Sequence, residues 1–339
     1  MTPISPATHD KVEFFSFLSA VAVCLLHVPW PTGSEAAMLF LGLRDTICPL
    51  ALPFFFMFAG FFLARHVADV GWWRRAVERR VFSLGIPYVV WLLAFLLVML
   101  AVCRDRSFLN GGSLVATLGL HPCRPPRLYP FWFLRCLFLF VLVSPLVVKV
   151  VRSGRGVLLM GTIYALDLVY AVLLGTHVVG PDTTRLGGLF WYGFHLDGFL
   201  YFVFGIYAAL LPLAVPRART VHLCGLVGAL LVVLRLLGLH FDRWQFIYPN
   251  IVLAPPLLVY IWFSMPPLRL PAFLRGTMFP IYLMHYGVIE VYCHYRGWNY
   301  LRLPECVLIA ALALALPILA AHILHRFFPR LAAFLFGGR

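Results

Sequence analysis

Residues 12–29 read VEFFSFLSAVAVCLLHVP, an apolar run with a histidine near its far end. At a rise of 1.5 Å per residue, a helix over this run is about 27 Å long, close to the thickness of the hydrocarbon core of a bilayer. The run therefore predicts a helix that crosses a membrane and carries one ionisable ring, that of His27.

The predicted helix has two unlike faces. Small and polar side chains share one face, because nearly whole helical turns separate them: Glu13, Ser16, Ala20, Cys24 and His27. The other face is apolar and suits lipid: Phe14, Phe15, Leu18, Val21 and Leu25. An ionisable residue inside a membrane is costly to bury and is a functional candidate, so we predict that His27 is the chemical centre. The alternative at this point is a histidine that only reaches interfacial water.

The composition predicts an all-α membrane protein. Hydrophobic residues make up 62% of the 339 residues and charged residues 12%, whereas soluble domains carry about 25% charged residues. The net charge of +14 is explained by basic loops at a membrane surface and by anionic lipid headgroups. We therefore expect membrane lipids as partners, and no nucleic acid.

Long apolar runs predict a polytopic transmembrane bundle of about ten spans, forming a single domain over residues 1–339. The loop after the second span holds five arginines and is predicted to be cytoplasmic: Arg65, Arg74, Arg75, Arg79 and Arg80. This assignment places the N-terminus and the C-terminus in the cytoplasm. The predicted spans are 12–30, 47–65, 81–102, 131–150, 156–175, 193–212, 221–239, 247–264, 277–295 and 304–328.

The eight cysteines show no CxxC spacing and no clustered zinc ligands accompany them, so no metal site is predicted. Most of them lie in apolar runs, where cysteine is usually a small packing residue. A disulfide between Cys103 and Cys123 is expected only if their shared loop faces an oxidising compartment.

Four further segments carry polar or helix-bending residues in an apolar setting. PLALPFFFMFAGFF at 49–62 ends near Gly60, which allows a neighbouring helix to approach closely. RRVFSLGIPYVVW at 79–91 contains Pro87, which is expected to kink its helix. YPFWFLRCLFLFVLVSP at 129–145 places Arg135 among aromatic residues, and FPIYLMHYGVIEVYCH at 279–294 adds His285 and Glu290.

Taken in order, these segments resemble the bacterial acyltransferase family 3, integral-membrane O-acyltransferases that modify glycans. The resemblance rests on the first helix from Glu13 to His27, P-F-F-F-M-x-x-G from Pro53, I-P-Y-x-x-W from Ile86, W-F-L-R from Trp132 and I-Y-L-M-H from Ile281. It implies transfer of an acyl group, usually acetyl from acetyl-CoA, to a sugar hydroxyl of a cell-surface glycan or its lipid-linked precursor. The expected location is the bacterial inner membrane.

The resemblance also assigns roles. His27 corresponds to the catalytic residue, a base that takes the proton of the attacking hydroxyl. Arg135 either neutralises the oxyanion or pairs with a carboxylate such as Asp197 or Glu290. The residues expected to bind the donor are Arg80, Arg79, Ser16, Ser83 and Lys11, and those expected to support the cavity are Glu13, Trp132, Tyr88, His285 and Glu290.

Three positions depart from the family pattern. Ser16 stands where the family has an arginine eleven residues before the histidine, Ala59 replaces a serine before Gly60, and Ser83 replaces the second basic residue of the third helix. Donor binding is then weaker, differently arranged or lost. Two alternatives therefore stay open: a transporter or flippase of a lipid-linked saccharide, which uses the ionisable residues as a proton relay, and an inactive relative that serves as a scaffold.

Asp167 and Arg235 are expected to form a buried structural pair.

Overall fold

All regular structure in the described part of the chain is helical. The computed structural model describes residues 5–31, 35–105, 115–121, 124, 127–175, 184–211, 215–237, 252–298 and 301–338. Its α-helices are α1 Pro6–His27, α2 Glu35–Ile47, α3 Ala51–Ala64, α4 Trp72–Arg80, α5 Ile86–Ala101, α6 Trp132–Val150, α7 Gly156–Gly175, α8 Arg185–Gly188, α9 Leu196–Leu210, α10 Ala218–Leu236, α11 Ala254–Ser264, α12 Met278–Arg296, α13 Leu303–Phe327 and α14 Pro329–Leu335.

Each predicted span overlaps one of the longer helices, and the all-helical class is confirmed within the described residues. Five segments of the described chain are long and apolar enough to cross a membrane: Leu39–Ala64, Trp72–Ala101, Tyr129–Leu173, Ala218–Leu236 and Leu303–Phe327. A total of about ten crossings and the cytoplasmic placement of both termini stay predictions. The sequence did not predict α2, because Arg44 and Asp45 interrupt its apolar pattern, nor did it predict α4, which contains much of the arginine-rich loop.

The first helix begins and ends where local chemistry requires. Ser5 is its N-cap and accepts a hydrogen bond from the backbone N–H of Thr8 at 3.2 Å, and Pro6 fits the first helical position. The helix ends at His27 because Val28 is extended before a proline.

The small and polar face of α1 points inward as predicted, with Ala20 and Cys24 buried. Leu18, on the opposite face, is exposed as predicted. Two residues predicted to face lipid are instead in protein contacts, because α3 and α13 cover part of that face. Phe15 contacts Phe54 at a ring distance of 6.1 Å, and Leu25 packs on an apolar cluster of α12 and α13 residues.

Helices α3 and α9 form the closest pair in the described chain. A Cβ atom on Gly60 would lie 2.1 Å from the carbonyl oxygen of Phe202, and one on Gly205 would lie 1.9 Å from that of Met57. Backbones can approach this closely only where a side chain is missing, which is the usual role of glycine between membrane helices. The prediction that Gly60 allows a close approach is confirmed by this contact.

Irregular backbone interrupts the central helices at two places. A π-helical turn over Val81–Gly85 lies directly before α5, in which Pro87 occupies the first turn, so the backbone is irregular at the predicted proline. Between α6 and α7, Gly154 has φ +80°, a conformation that favours glycine, and it separates the two helices. Cys123, the expected partner of Cys103 in a disulfide, lies outside the described residues.

Candidate functional site

His27 lines a cavity of about 380 Å³ that we call the His27 cavity. The ring of His27 is half-buried and lies among aromatic rings, with centroid distances of 5.2 Å to His285, 5.4 Å to Tyr286 and 6.0 Å to Tyr129. It therefore points into the protein and not into lipid. The polar residues that line the cavity with it are Arg44, Asp45, Tyr129, Trp132, Asp167, Tyr170, His195, Asp197 and Tyr282.

One hydrogen bond determines the tautomer of His27. Its Nδ1 lies 2.7 Å from the carbonyl oxygen of Val23. A carbonyl can only accept, so Nδ1 carries the proton, and in the neutral ring Nε2 carries a lone pair. Nε2 has no hydrogen-bond partner among the described residues. The ring is thus set up to accept a proton at Nε2.

His285 lies behind His27 with the same tautomer. It is fully buried, and its Nδ1 is 2.9 Å from the carbonyl oxygens of Ile281 and Tyr282. Its Nε2 is buried and has no hydrogen-bond partner among the described residues. Two neighbouring imidazoles that both present lone pairs favour a hydrogen-bond donor between or beside them. A supporting role for His285 stays a prediction.

The His27 cavity also holds three carboxylates in different states. Asp45 is paired with its neighbour Arg44, with Nε to Oδ1 at 2.7 Å. Asp197 accepts a hydrogen bond from His195 and one from the backbone N–H of Gly198 at 2.6 Å. Asp167 is buried and forms no pair with Arg235, so the predicted structural pair is not present. The first two carboxylates are compensated by the protein and the third is not.

A second cavity lies at the other end of α1. We call it the Ser16 cavity; it measures about 400 Å³, and Ser16, Glu13 and Arg80 are among its lining residues. Glu13 lies 4.0 Å from the guanidinium of Arg275. Arg80 is half-buried and makes no hydrogen bond or ion pair with any described residue. A sheltered guanidinium without a protein partner is suited to an anionic ligand.

Arg80 also lines a third, more basic cavity, which we call the Arg79 cavity and which measures about 750 Å³. Two arginines on its helix are paired with carboxylates: Arg74 with Glu78 at 2.8 Å and Arg75 with Asp69 at 3.6 Å. Arg79 has no such partner in the described chain. Ser83 lines this cavity as well, so Arg79, Arg80 and Ser83 share one basic cavity, and Phe62 and Arg80 line both it and the Ser16 cavity.

The His27 cavity and the Ser16 cavity are separated by a shared wall. Phe55, Phe133 and Tyr282 line both of them, and we call these three residues the aromatic wall. Eleven residues of α1 separate Ser16 from His27, which corresponds to about 16 Å along the helix axis. His27 and Arg80 therefore lie in adjoining cavities, one on each side of the aromatic wall.

Two of the predicted catalytic and donor-binding residues lie outside these cavities. Lys11 donates to the carbonyl oxygens of Trp262 and Met265, the latter at 2.6 Å, and so caps the end of α11. Arg135 donates to three carbonyl oxygens of the preceding segment, those of Gly119 at 2.8 Å, His121 at 2.9 Å and Arg124 at 3.3 Å. Neither is among the described residues that line the His27, Ser16 or Arg79 cavity.

Of the remaining predicted support residues, Trp132 lines the His27 cavity, whereas Tyr88 and Glu290 are not among its described lining residues. Trp132 stacks on His195 with centroids 4.7 Å apart. The Tyr88 hydroxyl donates to the carbonyl of Leu118 at 3.1 Å. Glu290 is buried and pairs with Arg127 at 3.2 Å. Tyr88 and Glu290 thus hold the segment that precedes α6.

Sequence reasoning missed the pair of His195 and Asp197. Residues two apart on a helix do not face each other, but His195 is the extended N-cap of α9, so its ring reaches the carboxylate in the first turn. The available signal was an acidic residue at the start of an apolar helix.

Near the N-terminus of α1, ligand atoms of three residues lie within 4.8 Å of one another: His9, Asp10 and Glu13. Asp10 already pairs with Arg269 at 2.9 Å.

Apolar helices of membrane-spanning length and polar interior cavities define a helical membrane protein. A family model described as an acyltransferase domain matches residues 12–322, so the chain belongs to acyltransferase family 3. This match confirms the family that the sequence motifs indicated. Searches of curated proteins and of solved structures gave no match.

Proposed function

We propose that this protein transfers an acyl group, acetyl from acetyl-CoA, to a hydroxyl group of a cell-surface glycan or of its lipid-linked precursor. The observation that carries the proposal is the placement of His27 and Arg80 in adjoining cavities that share the aromatic wall. A base lies on one side and a cation without a protein partner on the other. We place the protein in the bacterial inner membrane, with the Arg79 cavity open to the cytoplasm.

On this proposal the donor enters through the Arg79 cavity. The phosphates of CoA bind Arg79 and Arg80, because guanidinium groups hold phosphate oxygens by charge and by paired donors. The pantetheine arm then extends through the Ser16 cavity towards the aromatic wall. Ser16 leaves room where relatives have an arginine, so Arg80 is the main cation for the donor in this chain.

His27 then acts as the general base. Nε2 takes the proton of the acceptor hydroxyl while the oxygen attacks the thioester carbonyl carbon. The new C–O bond forms, the C–S bond breaks, and CoA leaves as a thiolate that receives the proton from His27. The hydrogen bond from Nδ1 to Val23 at 2.7 Å keeps the ring in the required tautomer throughout.

Histidine substitutions in purified protein test this proposal. His27→Ala should abolish acetyl transfer from radiolabelled acetyl-CoA, while the unfolding temperature and the elution volume stay those of the wild type. His322→Ala is the matched control: the Nδ1 of His322 also contacts the carbonyl four residues earlier, at 2.7 Å, but the side chain is exposed. Full transfer by the His27 variant would refute the assigned base.

A transporter or flippase of a lipid-linked saccharide is the second candidate, because two cavities separated by a thin wall also suit alternating access. It predicts movement of the saccharide across proteoliposomes without CoA, and His27→Ala would then impair movement. An inactive scaffold predicts neither movement nor acyl turnover, and no protection of Arg79 and Arg80 by CoA against a guanidinium-modifying reagent.

A further inference from the structure

The strongest unexplained group in the described chain is the carboxylate of Asp167. The residue lies on α7, is only 4% exposed and lines the His27 cavity. Its Oδ2 is buried, and the side chain makes no hydrogen bond or ion pair with any described residue. Burying a carboxylate without a partner is costly. A residue that is kept at this cost in a cavity wall is suited to a ligand that supplies the missing donors.

The described lining of the cavity holds three carboxyl groups, those of Asp45, Asp167 and Asp197, and one arginine. Among the described residues that line the cavity, Arg44 is the one arginine or lysine, and it pairs with Asp45 at 2.6 Å. Asp197 is bound by His195 and by a backbone N–H. A ligand at Asp167 therefore meets a hydrogen-bonding carboxyl group in a cavity whose described acidic side chains outnumber its arginines and lysines. Hydroxyl and ammonium groups are attracted to it, and carboxylate or phosphate groups are repelled.

The walls near these carboxylates are aromatic. Trp132 and His195 are stacked with an angle of 21° between their planes, and Tyr170 and Phe190 contact each other at 5.6 Å. All four line the same cavity as Asp167. A sugar ring has both features that such a site recognises: apolar C–H groups for aromatic rings and hydroxyl donors for a carboxylate. A volume of about 380 Å³ is within the range of small-molecule pockets.

We propose that Asp167 is an acceptor-binding residue, and that the His27 cavity takes an uncharged or amino sugar and rejects a sugar that bears a carboxylate or a phosphate. The carboxylate accepts hydrogen bonds from two donors of the sugar and so orients a third hydroxyl towards His27. This inference rests on the proposed acyl transfer for its catalytic meaning, but the binding of the sugar itself can be measured without CoA.

Saturation-transfer NMR on the full chain in lipid nanodiscs tests the binding. The probes are methyl glucoside, methyl glucosaminide and methyl glucuronide. Wild-type protein should bind the first two and not the third. A lower dissociation constant for the glucosaminide than for the glucoside would show that charge contributes to binding as well as hydrogen bonding. In Asp167→Asn, the dissociation constants should rise about 10- to 100-fold, since hydrogen bonds to a charged group are lost.

Asp105→Asn is the matched control, because Asp105 pairs with Arg127 at 3.1 Å and does not line the cavity. It should bind the probes as the wild type does. Three outcomes would overturn the proposal: binding of the glucuronide as tight as that of the glucoside, unchanged binding in Asp167→Asn, or no binding of any probe by the wild type.

Thermal unfolding separates a ligand-binding role from a structural one. Asp167→Asn should raise the unfolding temperature, because it removes a buried carboxyl group whose Oδ2 has no partner among the described residues. A structural carboxylate would give the opposite shift, and a fall would count against the proposal. Acetyl transfer measured in parallel separates the two proposals. Sugar binding through Asp167 without CoA turnover would refute acyl transfer alone, whereas transfer with unchanged acceptor KM in Asp167→Asn would refute the acceptor site alone.

Discussion

The contact between α3 and α9 predicts a large loss of stability when one methyl group is added. In Gly205→Ala the new Cβ would lie 1.9 Å from the carbonyl oxygen of Met57 and 2.8 Å from the backbone nitrogen of Phe61. A relaxed contact between carbon and oxygen is about 3.3 Å. The helices must therefore separate by roughly 1.4 Å, because both nearby groups are backbone atoms that cannot rotate away.

The cost follows from the packing that is lost. A gap of about 1 Å forfeits up to half of the attraction of each contact along the pair, and overpacked cores lose about 3 kcal/mol. At about 2 °C per kcal/mol for a chain of this size, we expect the unfolding temperature to fall by roughly 6 °C. Acyl transfer should fall with it, because α3 carries Phe55 of the aromatic wall and α9 carries Asp197.

The assay is thermal unfolding in detergent, followed by fluorescence-detected gel filtration. Gly161→Ala is the matched control, since no atom lies within 4 Å of the added Cβ and the residue is in the helix α7. It should unfold at the wild-type temperature or slightly above, because alanine favours a helix by about 1 kcal/mol over glycine. Equal unfolding temperatures for the two variants would refute the proposed packing of α3 on α9.

Three further predictions concern the cavities and the segment that covers them. Arg80→Gln should raise the KM for acetyl-CoA about tenfold or more, from loss of a hydrogen bond to a charged group. Arg74→Gln should leave that KM unchanged, because Arg74 is paired with Glu78 and is not among the lining residues. Arg135→Met should lower the unfolding temperature by several degrees, since it leaves three carbonyls without their donor. An unchanged melting curve would show that these hydrogen bonds do not stabilise the fold. Tyr282→Phe removes the hydrogen bond to the Pro130 carbonyl at 2.5 Å and should cost about 1 kcal/mol, measured by the same melting assay.

The inward face of α1 was predictable because helical periodicity alone determines which side chains share a face. The family was predictable because short motifs recur in a fixed order. Lys11 and Arg135 were harder, since both cations bind backbone carbonyls, and carbonyls are present at every residue and leave no pattern in the sequence. The pair of Asp167 and Arg235 was predicted from opposite charge alone, which does not establish that two helices bring the groups together.

The division between the His27 and Ser16 cavities also depends on tertiary contacts. Its wall takes one residue from each of three helices that are distant in sequence: Phe55 from α3, Phe133 from α6 and Tyr282 from α12. In each segment alone, the aromatic residue is interpreted as ordinary packing against lipid or a neighbouring helix. The function of these aromatic residues follows only from what lies on either side of them.

Acyl transfer on the proposed route requires a passage through the aromatic wall, and the packing restricts how it can open. Phe55 lies on α3, whose backbone is locked against α9 at Gly60 and Gly205. Tyr282 is held by its hydroxyl on the Pro130 carbonyl, at the start of the α6 segment. Moving α3 away from α9 would break the close backbone contacts at Gly60 and Gly205. Rotation of the three side chains of the aromatic wall would open a passage while α3 stays packed on α9.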